Sequence, residues 1–520
     1  MIGFPDAAIG AVAALLTFGL GQAVLADPAF IDRAGALPGP QIYAGDWEHF
    51  VGGGVAVFDC DADGLPEIYA AGGSNPARLF LNRTAAPGGQ IVFAEGDGLP
   101  ALTGVTGAYP LEVDGDGQLD LMVLRAGPNV LLRGLGQCRF ADATAEWGLD
   151  PGDHWTTAFA ATWEPGHDWP TFAIGNYVDR ANPKGPFEAC DVNQLHRGGA
   201  GRFEAPEVLA PGFCALSMLI SDWKRNGVPD LRISNDRHYY VRGGYEQMFA
   251  LSPLREYGEA EGWPRVKLWG MGIGSRDLTG DGLPEVMLTS MADQLLQINM
   301  GGGVMQDAPY EIGTYATAPY KGDDGRPSTG WHAEFGDIDN DGRDDLFIAK
   351  GNVDQMPSNA IHDPNNLLMQ QADGSFVERG GVAGVGTGER SRGAGLVDLN
   401  QDGRLDIVVM NRRAPMEIWQ NVTEGTGNWL EVDLAQEGAN RRGVGAWVEL
   451  RVGPRVQAQE VTVGGGHASG HATPLHFGLG QATSAEIRVI WPDGVASDWA
   501  GLAVNRVARV TRDGAALRIE

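Results

Sequence analysis

The chain has 520 residues, 77 of them glycine and 30 proline, with 67 acidic against 38 basic side chains and a formal net charge of −29. Apolar residues make up 43% and include 14 tryptophans, so the composition is that of a folded, turn-rich protein and excludes a disordered acidic tail. A charge this negative repels phosphate backbones and anionic lipid surfaces, which excludes nucleic acid as a partner and makes cations the natural ones.

In chain order, the N-terminus is uncharged from Ala7 to Ala26, and Val24-Leu25-Ala26 before Asp27 has the small-residue pattern of a signal-peptidase site. Residues 1–26 are expected to be a secretory signal, with the mature protein secreted, periplasmic or otherwise extracellular. The competing reading is a retained anchor, because about 20 apolar residues just span a bilayer and the segment ahead of them carries Asp6 but no Lys or Arg. No later run is long and apolar enough to span, so no stable membrane insertion is expected after cleavage. Cys60, Cys138, Cys190 and Cys214 are too few for a disulfide scaffold. Closing the loop-rich segment between Cys190 and Cys214 would stabilise the fold by roughly 3 kcal/mol. Cys60 and Cys138 read equally well as free and buried, and spacing leaves the pairing open.

One pattern then recurs, as VFDCDADGLPEIYAAGG at Val57, LEVDGDGQLDLMVLRAG at Leu111, SRDLTGDGLPEVMLTS at Ser275, FGDIDNDGRDDLFIAKGN at Phe335 and GLVDLNQDGRLDIVVMNR at Gly395. Weaker copies, ATWEPGHDWPTFAIGNY at Ala161 and ISDWKRNGVPDLRISND at Ile220, fill the gap, giving seven units roughly 50–60 residues apart. After each copy comes a further apolar run, among them LFLNR at Leu79, LQINM at Leu296 and IWQNV at Ile418. A unit thus offers an apolar strand, an acidic loop, a second strand, then a third and a hairpin to a fourth. The expected fold is all-β: a seven-bladed β-propeller over residues 27–425, then a small C-terminal β domain over 426–520. A solenoid fits less well because nothing marks capping repeats.

The acidic loops carry the chemistry. With Asp337, Asp339, Asp341 and Asp345 at positions 1, 3, 5 and 9 and Gly342 at 6, alternate side chains converge as the chain curls. Hard oxygens without His or Cys suit Ca²⁺. An EF-hand needs Glu at position 12 and flanking helices, whereas position 12 is here Ala70, Val123, Leu288, Ile348 or Val409. Five loops are expected to bind Ca²⁺, at roughly 10⁻⁴–10⁻³ M. They are Asp59, Asp61, Asp63 and Glu67; Glu112, Asp114, Asp116 and Asp120; Asp277, Thr279, Asp281 and Glu285; Asp337, Asp339, Asp341 and Asp345; and Asp398, Asn400, Asp402 and Asp406. Carboxylates about 4 Å apart repel by up to about 4 kcal/mol per pair at an effective dielectric of 20, so loops of this kind should loosen without a cation. Loop four has Lys224 between Asp222 and Asn226, with Asp230 at position 9, and its ammonium is expected to serve as an internal cation. Loop three, around Glu164, His167 and Asp168, has lost the pattern.

The repeats resemble the FG-GAP/VCBS repeats of integrin alpha-subunit propellers, in which an apolar-Gly strand such as Phe335-Gly336 leads into a D-x-D-x-D-G-x-x-D loop. The resemblance covers roughly 41–421. Residues 440–510, including NRRGVGAWVELRVG, EVTVGGGHASG and LHFGLGQATSAEIRVIWPDG, resemble an ASPIC/UnbV domain, which follows such repeats in cartilage acidic protein-like chains. Membership implies a secreted calcium-binding protein of adhesion or matrix interaction. In the tail, His467, His471 and His476 have the HxxxH spacing at the first pair, but in a loop-like GGGHASGH, so surface or packing roles are expected rather than a metal site.

Two functions follow. The first is an extracellular module for a protein or glycan ligand, with Trp155, Tyr239, Tyr240 and Trp331 as sugar-stacking candidates against a plainer packing role. The second is a calcium-dependent enzyme, a polysaccharide lyase or an oxidoreductase, for which Arg237, His238, Tyr239 and Tyr240 form a cluster. Neighbours in an extended segment point alternately, and the chain lacks Gly-x-Ser-x-Gly, HExxH, a phosphate loop and a haem CxxCH. Binding rather than catalysis is therefore the expectation.

Overall fold

The computed structural model describes residues 27–237, 242–291, 294–315, 328–353 and 362–520 and is all-β, with short 3-10 turns and one four-residue helix, Gly380–Ala383. The expected signal segment and His238, Tyr239 and Tyr240 lie outside the described residues. Every copy of the pattern bends one strand back on the next. Val55–Phe58 pairs with Glu67–Ala70, Val105–Leu111 with Asp120–Gly127, His154–Thr162 with Thr171–Asn176 and Ala215–Ser221 with Asp230–Asn235. Gly270–Arg276 pairs with Glu285–Ser290, Gly330–Gly336 with Asp345–Lys350 and Ser391–Val397 with Asp406–Asn411, and all seven pairs are antiparallel. Arg78–Asn82 and Phe93–Gly96 complete the first unit. In the last unit the outer place is taken by Phe30–Asp32, paired with Glu417–Asn421, which ties the start of the described chain to the seventh copy.

The first strands lack the polar alternation of a half-solvated sheet; Val55–Phe58 and Ser391–Val397 are buried at every position. Both faces pack on neighbouring units. Val57, Phe58 and Ile68 share a core with Leu121 and Leu132 of the second unit and with Val397, Val408 and Ile418 of the seventh. Cores of the same kind join the second unit to the third, the third to the fourth, and so on round to the seventh. The result is a propeller-like body. Disulfides Cys60–Cys138 and Cys190–Cys214 fit an oxidising compartment; the first staples the loop of unit one to unit two, a long-range pairing that spacing left open. No helix among the described residues is long and apolar enough to cross a membrane.

The C-terminal segment makes two four-stranded sheets. One runs Leu475–Gly480, Asn428–Ala435, Val507–Asp513, Ala516–Ile519; the other runs Arg455–Glu460, Trp447–Val452, Ser484–Ile490, Ala500–Ala503. They close on Leu430, Val432, Val448, Leu450, Phe477, Ile487 and Val489. Between Arg455–Glu460 and Leu475–Gly480 the chain leaves this sandwich and enters the middle of the repeat body. Ala161 donates to Val463, Gly465 donates to Met218 at 2.6 Å, and Gly466 exchanges hydrogen bonds with Ile273. The His467 amide donates to His332 Nδ1 at 3.0 Å, Ala108 donates to Ala468, and Val55 donates to Ser469 Oγ. Gly470–Ala472 then pairs in parallel with Ala56, Val57 and Phe58, and His471 lies against Gly395. The segment therefore touches the first strand of every unit. Small residues are required there: a Cβ on Gly54 would fall 1.8 Å from the Ala468 carbonyl oxygen.

Candidate metal centres and the face they share

The acidic loops hold their carboxylates by one repeating set of backbone bonds. In loop six Asp337 accepts from Asp341 and Gly342 at 3.0 and 2.6 Å, Asp341 accepts from Arg343, and Asp345 accepts from Ile338 and Gln370 at 2.9 and 2.8 Å. Loop seven repeats this with Asp398 on Asp402 and Gly403, and Asp406 on Leu399 and Asn421. In loop five Asp277 takes Gly280 and Gly282, Asp281 takes Leu283, and Glu285 takes Leu278 and Asn299, with Thr279 in the curl. In loop two Glu112 accepts from Gly117, Asp116 from Gln118, and Asp120 from Val113 and Gly134, while Asp114 pairs with Arg133 at 2.9 Å. Loop one holds Asp59 on Ala62 and Gly64, Asp63 on Leu65, and Glu67 on Cys60 and Asn82. The position-9 acid thus bridges the loop to the unit's third strand.

Convergence is tightest in loops one and six. Oxygens of Asp59, Asp61 and Glu67, and of Asp337, Asp339 and Asp345, lie within 4.8 Å of one another. Burial, then the neighbouring carboxylates, pushes Asp337 well above the carboxylate range, and burial raises Asp345 and Asp406 likewise. Burial also lifts Glu67 and Asp120 to about 8, Glu285 and Asp398 to about 7, and Asp277 and Asp341 to about 6. Such groups need a cation or a proton. At position 3, Oδ1 of Asp61 and Oδ1 of the fully buried Asn400 have no hydrogen-bond partner. An oxygen-seeking cation is what this donor set fits.

Loops three and four carry their own cations. The Lys224 ammonium lies 2.8 Å from the buried Asp230 carboxylate and 2.9 Å from the Tyr257 hydroxyl. In loop three Arg197 lies 2.7 Å from Glu164, whose carboxylate also accepts from Thr171, the position-9 residue.

The loops face the C-terminal sandwich, with a cavity of about 760 Å³ between them, lined by residues including Glu334, His471, Glu431, Glu460 and Arg442. Asn340, fully buried in loop six, donates to Gly403 of loop seven at 2.8 Å, holds His476 Nε2 at 2.7 Å and accepts from the Gly480 amide. Gly427 donates to Asp339, and Arg441 donates to Gly115 of loop two at 2.8 Å. Arg225 of loop four pairs with Glu449 at 2.6 Å and lies over the Trp447 ring, while Glu460 accepts from the Asp222 amide. Glu431, buried beside Asp402, is raised to about 8. Sequence reasoning missed this contact set, and also Asn82, Asn299 and Asn421. Each of these amides donates to a carbonyl of the preceding unit's loop, at Leu399, Trp223 and Ile338. Their signal was the Asn shared by LFLNR, LQINM and IWQNV.

The histidines are packed. His467 is fully buried, its Nδ1–H donating to the Leu216 carbonyl and its Nε2 accepting from the Gly52 amide, and burial lowers it to about 3. His332 and His471 both meet Glu334, at 3.1 and 3.2 Å. His332 Nδ1 accepts an amide proton, so its Nε2 carries the ring proton toward Glu334 and is not free for a metal. Of the surface and packing roles expected for them, His467 and His476 take packing ones. Trp155 and Trp331, each 1% exposed, are core residues and offer no sugar platform.

Comparison with known families fits this geometry. A model described as FG-GAP-like repeat matches residues 59–123, 277–348 and 337–409, and one described as ASPIC and UnbV matches 436–517. The chain carries FG-GAP-like repeats and an ASPIC/UnbV domain. The matched repeats include loops one, two, five, six and seven. No curated protein matches the chain. Among solved structures, BBS1N in complex with ARL6DN matches at 9% identity and TM-score 0.45, over 78% of this chain and 99% of that one. An Agrocybe aegerita lectin that recognises non-reducing terminal N-acetylglucosamine matches at 16% and 0.35, over 72% and 94%. Saccharomyces cerevisiae Sqt1 matches at 13% and 0.41, over 74% and 100%. Likenesses of this depth say nothing about a ligand for the FG-GAP and ASPIC/UnbV chain.

Proposed function

We propose that the protein is an exported, seven-bladed propeller held by about five Ca²⁺ ions and working as a binding module for an extracellular protein or glycan. Loops one, two, five, six and seven would hold the ions through the residues named above; what a bound ion supplies is positive charge that lets the three or four carboxylates of a loop stay ionised together. The observation that carries the reading is the pair of buried, unpartnered position-3 oxygens, on Asp61 and Asn400, in loops whose position-1 and position-9 acids are held by backbone amides. The FG-GAP matches cover the same five loops.

The ASPIC/UnbV domain covers the loop face, which leaves the opposite face for a ligand. There, in the connection between Thr171–Asn176 and Asn193–Gly199, Phe187 is 60% exposed and Arg180 pairs with Glu48 and Asp153. An apolar side chain in a charged rim is the composition of a protein or glycan contact. Isothermal calorimetry with Ca²⁺, followed by a matrix-protein and glycan binding screen on the loaded protein, tests both halves. No heat of Ca²⁺ binding removes the first half; uronate cleavage by the purified protein would move the second to the lyase reading.

A further inference from the structure

We infer that the loop face is an intramolecular docking surface whose hold on the ASPIC/UnbV domain depends on cation loading: filled loops keep the domain and its channel segment, residues 461–474 threaded through the repeat body, seated, and emptied loops release them on one side. This rests on the calcium reading above and concerns what those ions regulate.

Contacts to the domain fall into two chemical groups. On the loop-four side they run through fixed cations of the chain itself, with Arg225 on Glu449 and Trp447. On the loop-two, loop-six and loop-seven side they run mostly through loop backbone: Gly480 on the Asn340 carbonyl, Gly427 on the Asp339 carbonyl, Arg441 on the Gly115 carbonyl. Backbone contacts last only while the loop keeps its curl, and the curl gathers carboxylates that repel one another when no cation sits among them. The domain also approaches these acids closely. A Cβ on Gly478 would fall 1.9 Å from Oδ2 of Asp337, and the buried Glu431 carboxylate faces Asp398 and Asp402. Glu431 thus sets a like charge against loop seven, as Glu460 does against Asp222 at loop four, while opposite charges meet in Arg225 on Glu449 at loop four and in Arg441, 3.5 Å from Glu112, at loop two.

The channel segment is bound to the outcome. It hangs between Arg455–Glu460, whose Glu460 holds loop four, and Leu475–Gly480, whose His476 and Gly480 hold loop six. If the second anchor lifts, Gly465, Gly466 and His467 lose the frame that seats them on Met218, Ile273 and His332, while the first anchor stays.

Amide exchange of the full-length protein, read by mass spectrometry well below its melting temperature, tests this. Chelation should speed exchange across 463–480 by at least tenfold while Val448, Ile487 and Val489 in the sandwich stay protected, and Glu431→Gln should reduce the acceleration. If calorimetry shows several Ca²⁺ bound and exchange over 463–480 is the same with and without them, the docking inference fails and the calcium reading stands. If no Ca²⁺ binds, both fail. Uniform acceleration across the sandwich as well would also overturn it, since release would then be unfolding.

Discussion

Loops four and six occupy the same place in their units and bury the same acid, Asp230 in one and Asp345 in the other. In loop four a side-chain ammonium stands 2.8 Å from that acid. In loop six the acid has two backbone amides and the neighbouring carboxylates Asp337, Asp339 and Asp341. One loop sets a cation of its own sequence on the buried acid; in the other Arg343 reaches only the outer Asp341, and under the calcium reading an ion from solution would take the place that Lys224 holds in loop four. The difference separates what the scaffold fixes permanently from what its surroundings can set.

Chelation should break the comparison most strongly. At a free Ca²⁺ concentration one hundred times the dissociation constant, each independent site adds about 2.7 kcal/mol. Five such sites would raise the melting temperature by well over 10 °C relative to chelator in scanning calorimetry. An unchanged melting temperature would end the calcium reading.

Lys224→Met comes next. Leaving Asp230 buried without its ammonium costs about 3 kcal/mol. The loss should be equal in calcium and in chelator, because no external ion takes part; denaturant titration in the two conditions checks it. Asp339→Asn gives loop six the residue that loop seven has at Asn400. In chelator it should stabilise by about 1 kcal/mol through relief of repulsion, and in calcium it should destabilise or leave stability unchanged. The same sign in both conditions would show that loop six is merely an acidic turn.

Acidity offers a milder probe. In chelator the loop acids titrate higher in the folded protein than unfolded, Glu67 and Asp120 to about 8 and Asp398 to about 7. A raised folded pKa gives stability that is fully present below the unfolded value and lost as pH rises through the folded one. Stability in chelator should therefore fall from about pH 4 to pH 8, and calcium should flatten or reverse that slope by favouring the ionised forms. Melting temperatures across that range, with and without Ca²⁺, read the difference.

The features legible in the sequence are those written as spacing within one unit. Positions 1, 3 and 9 of loops one and six meet because they are close in the chain, and Lys224 could be read as a cation because it stands among its own acids. Contacts between units were not legible. Cys60–Cys138 crosses from one unit to the next, and spacing along the chain does not encode that distance. The channel segment read only as loop-like, with surface and packing roles both open, because glycine, alanine and serine fit both a turn and a narrow passage; only its position between two sandwich strands distinguishes them. For Trp155 and Trp331 the sequence left sugar stacking and packing open, because composition does not mark where a first strand begins, and both are core.

The position-4 residue gives the finest test of the comparison. It holds a left-handed backbone in both loops, Arg225 at φ 54° and Asn340 at φ 57°. In loop four this residue reaches the domain by charge; in loop six its side-chain amide reaches His476 of the domain and Gly403 of loop seven, while its backbone carbonyl accepts from Gly480. Asn340→Gly keeps the backbone and deletes the two side-chain bonds, so its cost should be small, about 1 kcal/mol, with the favoured glycine conformation offsetting part of it. The cost should appear in calcium, where loop six is seated, and shrink in chelator, where the inferred release has already broken the His476 contact. Arg225→Gly should cost about the same in both. Equal losses for Asn340→Gly with and without calcium would mean that loop six grips the domain whether or not it is filled.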